Sequence, residues 1–305
     1  MKRVNGERFS WLRAARPRTV LLSLSGILTG GFLAYAECPG TNNWIVVFCA
    51  LTAITLQILS NLANDYGDFK KGVDNAHRTG PERALQSGAL TERQMLMGIV
   101  ITAVLALVFG ALLIFVFARL TCHEIAAFAV LGLAAIAAAL CYTLGKHPYG
   151  YQGLGDLFCF LFFGWVAVAG TYYLATRCLD FTILLPASAL GLLSNAVLNI
   201  NNMRDYENDR ASGKNSLVVI MGLKNAFVYH CLLIVLAFVC LTLFQILKQV
   251  HWYSYFFWLL FPLFFKDLRT IKSTLITGVP DGLLPKQVVQ TFLLTIVFGS
   301  LLLIG

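Results

Sequence analysis

Apolar residues in this chain neither alternate along strands nor recur on one stripe of short helices. They run almost unbroken for the length of a bilayer crossing and then stop at polar breaks. The runs fall at roughly 19–36, 44–64, 95–118, 122–144, 155–175, 181–203, 224–247, 252–268 and 286–304. A spanning helix needs about 20 such residues, so the pattern predicts an all-α polytopic membrane protein. Nine transmembrane helices are expected around a central cavity that opens toward the cytoplasmic side. The eighth run is the shortest and is interrupted by Pro262. The first ends in Ala34-Tyr35-Ala36, which imitates a signal-peptidase site. It is longer than a secretory h-region of about 7–15 residues, however, and is expected to remain as a span. No low-complexity linker divides the runs, so residues 1–305 are read as a single membrane-embedded domain.

Composition agrees: 58% of the 305 residues are hydrophobic and 12% are charged, against about 25% charged in a soluble domain. A soluble globular enzyme, a disordered chain and a nucleic-acid-binding domain are thereby excluded. The net charge of +8 is a topology signal and implies no nucleic-acid partner. With nine spans, 20 of the 23 Lys and Arg residues fall on the side of the N-terminus, leaving Arg119, Arg177 and Lys248 on the other. The positive-inside rule places that rich side, and the N-terminus, in the cytoplasm. The eight cysteines show no CxxC spacing and read as buried inert thiols. A bridge among Cys38, Cys122 and Cys178 is the alternative.

The acidic residues depart from this simple picture. Eight of the 15 lie in two connections, after spans 2 and 6, which parity puts on one face. Each cluster is approached by a polar stripe within the membrane. At about 100° per residue, Gln57, Asn61, Asn64, Asp65 and Asp68 share one sector of a helix, and so do Asn195, Asn199, Asn202, Asp205 and Asp209. Polar stripes within spans are costly and normally face a protein-lined or wet cavity. Ser60-Asn61-x-x-Asn64 and Leu198-Asn199-x-x-Asn202 also form a weak internal repeat. Two half-sites are expected to converge.

Massed carboxylates repel one another unless cations hold them. Oxygen-only ligands select a hard ion, and Mg²⁺ commonly binds one or two carboxylates together with substrate phosphates. The nearby Arg78, Arg83, Lys146, Arg204 and Lys214 suit phosphate oxygens. Acids, Mg²⁺ and bases in a cavity open to lipid suit a lipid diphosphate; a cation or organic-anion transporter is the reading from another class. Several features carry two readings. Tyr142-x-x-x-Lys146 serves either the site or an interfacial anchor. Asp156 serves either the site or the first turn of span 5. Arg16-Pro17-Arg18 is explained by topology and a Pro-initiated helix. His77 is read as a solvated loop residue.

At these residues the chain resembles a known family. Asn64-Asp65-Tyr66-Gly67-Asp68 with Asp74, and Asn201 through Arg210, are similar to the two Asp-rich motifs of UbiA-type membrane prenyltransferases; Tyr142-x-x-x-Lys146 is similar to the family's YxxxK element. Lys71-Gly72-x-Asp74, Arg78-Thr79-Gly80-Pro81, Tyr149-Gly150-Tyr151-x-Gly153-Leu154-Gly155-Asp156 and Asn208-Asp209-Arg210-Ala211-x-Gly213-Lys214 resemble the naphthoate-type subgroup.

The resemblance implies that Mg²⁺ is held by Asn64, Asp65, Asp68, Asp205 and Asp209, with Asp74 nearby. Arg78, Arg83, Tyr142, Lys146, Asn202 and Lys214 would bind a polyprenyl diphosphate. Its departure leaves an allylic cation for an aromatic acceptor, with Asp156 orienting or deprotonating that acceptor. For a dihydroxynaphthoate the attacked carbon carries the carboxylate, so CO₂ is lost; 4-hydroxybenzoate is the alternative acceptor. The family implies the bacterial cytoplasmic membrane and no obligate protein partner.

Overall fold

The computed structural model describes residues 10–74, 80–178 and 180–304. The expectations for His77 and Arg78 therefore lie outside the described residues. Helices dominate, and no named strand occurs among the described residues. In chain order they are α1 (Pro17–Glu37), α2 (Asn43–Lys70), α3 (Glu92–Phe117), α4 (Cys122–Cys141), α5 (Gly155–Thr176), α6 (Leu184–Arg204), the short α7 (Tyr206–Ala211), α8 (Leu217–Leu247), α9 (Phe261–Thr274) and α10 (Leu283–Ile304). Eight of these, all but α7 and α9, are long and apolar enough to cross a membrane.

Local signals set the boundaries. Pro17 sits in the first turn of α1, where its missing N–H costs nothing. The Asn42 side chain accepts from Trp44 N at 3.1 Å and caps α2. Thr91 and Gln94 form a reciprocal capping box at α3. Ser216 caps α8, whose first turn and a half is offset by Gly222 at φ 77°.

The expected eighth span takes a mixed form. Residues Trp252–Leu260 are a 3₁₀ helix that leads directly into α9. Pro262, Lys266, Asp267, Arg269 and Lys272 deny this stretch a long clean apolar window. It nevertheless carries the chain from one end of the bundle to the other. Lys248 pairs with Glu37 and with Asp180 at one end, whereas Asp281 lies 3.5 Å from Arg204 at the other. Buried Asp267 is satisfied on the way by Lys286 and by Gln290 Nε2 at 2.8 Å.

Two packing devices hold the bundle. In the C-terminal half, Phe238 is ringed by Phe257, Trp258, Phe261 and Phe264, with centroids 5.1–6.0 Å away. In the N-terminal half, α1 meets α5 without an intervening side chain. A methyl group on Gly30 would lie 2.4 Å from the Val168 carbonyl oxygen, the close approach that small residues permit between membrane helices. The cysteines are free, and only Cys49 is buried; Cys122, Cys141 and Cys178 are exposed. This corrects the buried-thiol expectation, since apolar runs also face lipid.

A two-segment acidic and basic site over one cavity

The last turns of α2 and the α6–α7 junction meet at one end of the bundle. Asn208 Nδ2 donates to the Val73 carbonyl at 2.9 Å, tying the second motif to the segment that follows the first. Lys214 bridges them directly: its Nζ lies 3.3 Å from Asp68 Oδ2 and 3.9 Å from Asp209 Oδ1. Burial pulls the Lys214 ammonium down, but Asp68 and Asp209 more than restore it, and it is held above the ordinary lysine value. Tyr151 donates to Asp68 Oδ1 at 2.7 Å, and its ring lies under both Lys71 and Lys214 at 4.6 and 5.4 Å. Burial, then Asp68, pushes that phenol up.

Asp65 is held differently. It is buried and accepts from Arg16, with Arg83 Nη1 at 3.1 Å; Arg83 Nε also approaches Asp74 at 3.8 Å. Burial, followed by the repulsion of Arg83, lowers Arg16. On the second segment α6 ends at Arg204, and Asp205 leaves helical geometry at φ −90°, ψ 9°. Arg204 grips Asp205 with a two-pronged contact at 2.8 and 2.7 Å and reaches Asn201 Oδ1 at 2.9 Å.

Part of this cluster faces one cavity of about 560 Å³. Asn64, Asp68, Arg83, Tyr142, Asp205, Asp209 and Lys214 line it, so seven of the expected residues are brought together. Its walls then continue between aliphatic and aromatic side chains of α3, α4 and α5.

Other expected residues stand elsewhere. Asp65 and Asp74 lie behind the lining against the arginines. Lys146 is exposed and outside the lining. Asp156 is buried in the first turn of α5, outside the cavity lining, and accepts from Tyr229 OH at 3.1 Å. Asn202 is buried outside the lining.

The two polar stripes behave differently. On α2, Gln57, Asn61, Asn64 and Asp68 face the cavity as expected. On α6 the cavity-facing positions are Ser194, Val197, Leu198 and Asn201, followed by Asp205 just beyond its end. Asn195 and Asn199 turn instead toward α8, where Asn199 Nδ2 donates to the Ala226 carbonyl at 3.0 Å. The neighbouring helix thus accepts from these intramembrane amides, while the Oδ1 atoms of Asn195 and Asn199 stay buried without a hydrogen-bond partner.

Residues that sequence reasoning passed over also reach the site. Arg16, counted only toward topology, lines the cavity from the residue before α1, in left-handed geometry at φ 50°. Tyr151 had no signal beyond its place in the Tyr149–Asp156 string.

Among the described residues, no three His, Cys, Asp or Glu side chains form a group that could hold a metal ion by themselves. Of the expected ligand set Asn64, Asp65, Asp68, Asp205 and Asp209, Asp65 is paired with Arg16 and Arg83, Asp205 with Arg204, and Asp68 and Asp209 with Lys214. The donor chemistry still fits a hard ion that shares its shell with phosphate. All the donors are oxygen, and Asn64 Oδ1 is buried at the cavity without a hydrogen-bond partner.

Fold and site together define an integral membrane protein with a charged head site opening onto an intramembrane apolar cavity. The chain matches the UbiA prenyltransferase family over residues 23–273 and belongs to that family. It is 41% identical over 305 residues to the 1,4-dihydroxy-2-naphthoate octaprenyltransferase of Haemophilus influenzae, covering 100% of this chain and 99% of that protein. It is 41% identical over 293 residues to the protein of the same name from Escherichia coli, covering 95% and 93%. A UbiA homolog from Archaeoglobus fulgidus bound to GPP and Mg²⁺ shares the fold, with a TM-score of 0.66, 16% identity, and coverage of 97% and 100%.

Proposed function

We propose that this protein transfers a polyprenyl group from a polyprenyl diphosphate to 1,4-dihydroxy-2-naphthoate with loss of CO₂, giving a demethylmenaquinone. The observation that carries the proposal is the single cavity in which Asp68, Asp205, Asp209 and Lys214 face one another at one end and apolar walls continue from them. The relatives' shared name supplies the acceptor and the prenyl class.

Lys214, Arg83 and Arg16 bind the diphosphate and take up its charge as it leaves. Mg²⁺, held by Asn64, Asp68, Asp205 and Asp209, would supply Lewis-acid stabilisation to the leaving oxygen. Asp65 keeps Arg16 and Arg83 side by side despite their repulsion, and Asp74 supports Arg83. Tyr151 orients Asp68. The C–O bond to diphosphate breaks, the ring carbon bonds to C1 of the prenyl group, and the carboxylate leaves as CO₂. Its bonding pair restores the aromatic ring, so no proton need leave that carbon. The apolar walls exclude water that would otherwise quench the allylic cation. Asp156, with the Tyr229 hydroxyl, orients the acceptor from behind the lining.

In this reading residues 1–305 form one domain in the bacterial cytoplasmic membrane with the N-terminus cytoplasmic, and residues 252–274 make a ninth crossing. The test is purified protein with Mg²⁺, an allylic diphosphate and a panel of arenes, with products identified by mass. Prenylated naphthoquinol is expected; solute movement across vesicles without diphosphate consumption would overturn it.

A further inference from the structure

We propose that Asp281, on the connection between α9 and α10, is a positioning residue that receives Arg204 when Asp205 turns to a divalent cation. It thereby sets the metal affinity of the site without touching metal or substrate. The inference rests on the function proposed above and assigns the device that frees one of its acids.

Arg204 is a buried cation that the proposed reaction does not use. Its Nε and Nη2 hold the two Asp205 oxygens at 2.8 and 2.7 Å, and Nη2 also reaches Asn201 Oδ1 at 2.9 Å. The guanidinium fork matches a carboxylate with two parallel hydrogen bonds, so both Asp205 oxygens are engaged. Yet Asp205 lines the cavity with Asp68 and Asp209, where a hard cation needs carboxylate oxygen. A guanidinium and a divalent ion on one carboxylate repel each other, the more so away from bulk water. Asp205 becomes available as Arg204 draws back. A buried guanidinium left without a counter-ion is costly, so the exchange needs a second acid at hand.

Asp281 is that acid. Its Oδ1 lies 3.5 Å from Arg204 Nε, the same nitrogen that donates to Asp205. This is ion-pair reach, and a shift of roughly 0.6 Å would close it to a normal N–H···O bond of about 2.9 Å. The Asp281 side chain is 55% exposed and that of Arg204 7%; a pair with so exposed a partner contributes little to stability. Its placement is nevertheless fixed. Val279 and Leu283, two residues to either side, are buried in the same cluster as Ile200 and Met203 of α6. Gly278, at φ 111°, turns the chain away from α9, and the Leu283 amide donates to the Pro280 carbonyl at 3.1 Å. The connection thus holds a carboxylate against the end of α6, outside the cavity lining. With Asp281 in place, Arg204 exchanges one carboxylate for another. Without it, drawing Arg204 away from Asp205 carries a cost that weakens metal binding.

The experiment measures Mn²⁺ binding by EPR in the presence of a non-hydrolysable octaprenyl diphosphate analogue. Asp281→Asn is expected to raise the Mn²⁺ Kd at least fivefold, and Asp281→Glu to restore it to within twofold of wild type. In an Arg204→Gln background, where nothing has to be handed over, adding Asp281→Asn should change the Kd less than twofold. An unchanged Kd in Asp281→Asn, or the same rise in both backgrounds, overturns the proposal; the second result would mark a plain loss of negative charge. Should Arg204→Gln fail to fold, Glu207→Gln takes its place as the comparison, since it removes the same charge from an exposed position two residues from Asp205. A loss confined to Asp281→Asn supports the handover, and equal losses overturn it. A wild type that neither binds Mn²⁺ with the analogue nor consumes an allylic diphosphate refutes the proposed function itself, a distinguishable result.

Discussion

Lys214 Nζ stands between Asp68 and Asp209, 3.3 Å from one carboxylate and 3.9 Å from the other, although 146 residues separate Lys214 from Asp68 in the chain. One buried ammonium thus joins the two acidic segments, and it is placed to pass to a diphosphate when that anion enters. Lys214→Gln should raise the KM for the prenyl diphosphate. A hydrogen bond to a charged group contributes about 1.5–3 kcal/mol, which corresponds to roughly a tenfold to hundredfold rise. The flanking acids hold Lys214 above the ordinary lysine value. Its stabilising contribution is therefore full below that ordinary value and is lost only as pH rises through the raised one. Donor KM measured from neutral to mildly alkaline pH should show no loss traceable to this group.

Asp65 and Asp68 are one turn apart on α2 but have different partners, and their variants should separate. Asp65→Asn leaves Arg16 and Arg83 without their shared counter-ion, and removing one partner of a buried pair costs about 3–5 kcal/mol. A drop in thermal unfolding temperature and in folded yield is expected. Asp68→Asn should fold and insert normally while losing turnover, because Lys214 keeps Asp209. Unfolding curves and single-turnover assays on the two purified variants check this; the reverse pattern would exchange their roles.

Much of the fold was legible in the sequence, because length and polarity of apolar runs report directly on what a bilayer demands. Eight of the nine expected runs became long apolar helices, and the motif on α2 appeared where its stripe pointed. The α6 stripe misled for a physical reason. A period of 3.6 residues identifies a polar face but not what that face meets, and Asn195 and Asn199 meet α8. Arg16 was hidden for a related reason: a cytoplasmic arginine satisfies the topology rule whether or not it also turns into a cavity. The mixed 3₁₀ and α stretch at 252–274 was blurred by Pro262 and by Asp267, whose partners on α10 are distant in sequence.

The path of that stretch gives a topology prediction. In a cysteine-free background, Asp74→Cys, Asp209→Cys and Asp281→Cys should react with a membrane-impermeant thiol reagent from the cytoplasmic side only. Lys248→Cys and Glu124→Cys should react from the other side only. Labelling of Lys248→Cys and Asp281→Cys from the same side would remove the ninth crossing, and labelling of Asp74→Cys and Asp209→Cys from opposite sides would separate the two halves of the site.

Divalent metal should be required and should bind with the donor. Chelation is expected to abolish turnover and Mg²⁺ to restore it, given the all-oxygen donors around Asn64, Asp68, Asp205 and Asp209. Because these acids are already paired with Lys214 and Arg204, Mn²⁺ binding followed by EPR should be weak for the protein alone and at least tenfold tighter with a non-hydrolysable prenyl diphosphate. Equal affinities would point to a preformed metal cage.

Release of CO₂ tests the central claim most directly. Purified protein with Mg²⁺, octaprenyl diphosphate and carboxyl-labelled 1,4-dihydroxy-2-naphthoate should release one labelled CO₂ per prenyl group transferred, and none when either Mg²⁺ or the diphosphate is omitted. Label retained in the prenylated product, or consumption of 4-hydroxybenzoate in place of the naphthoate, would contradict it.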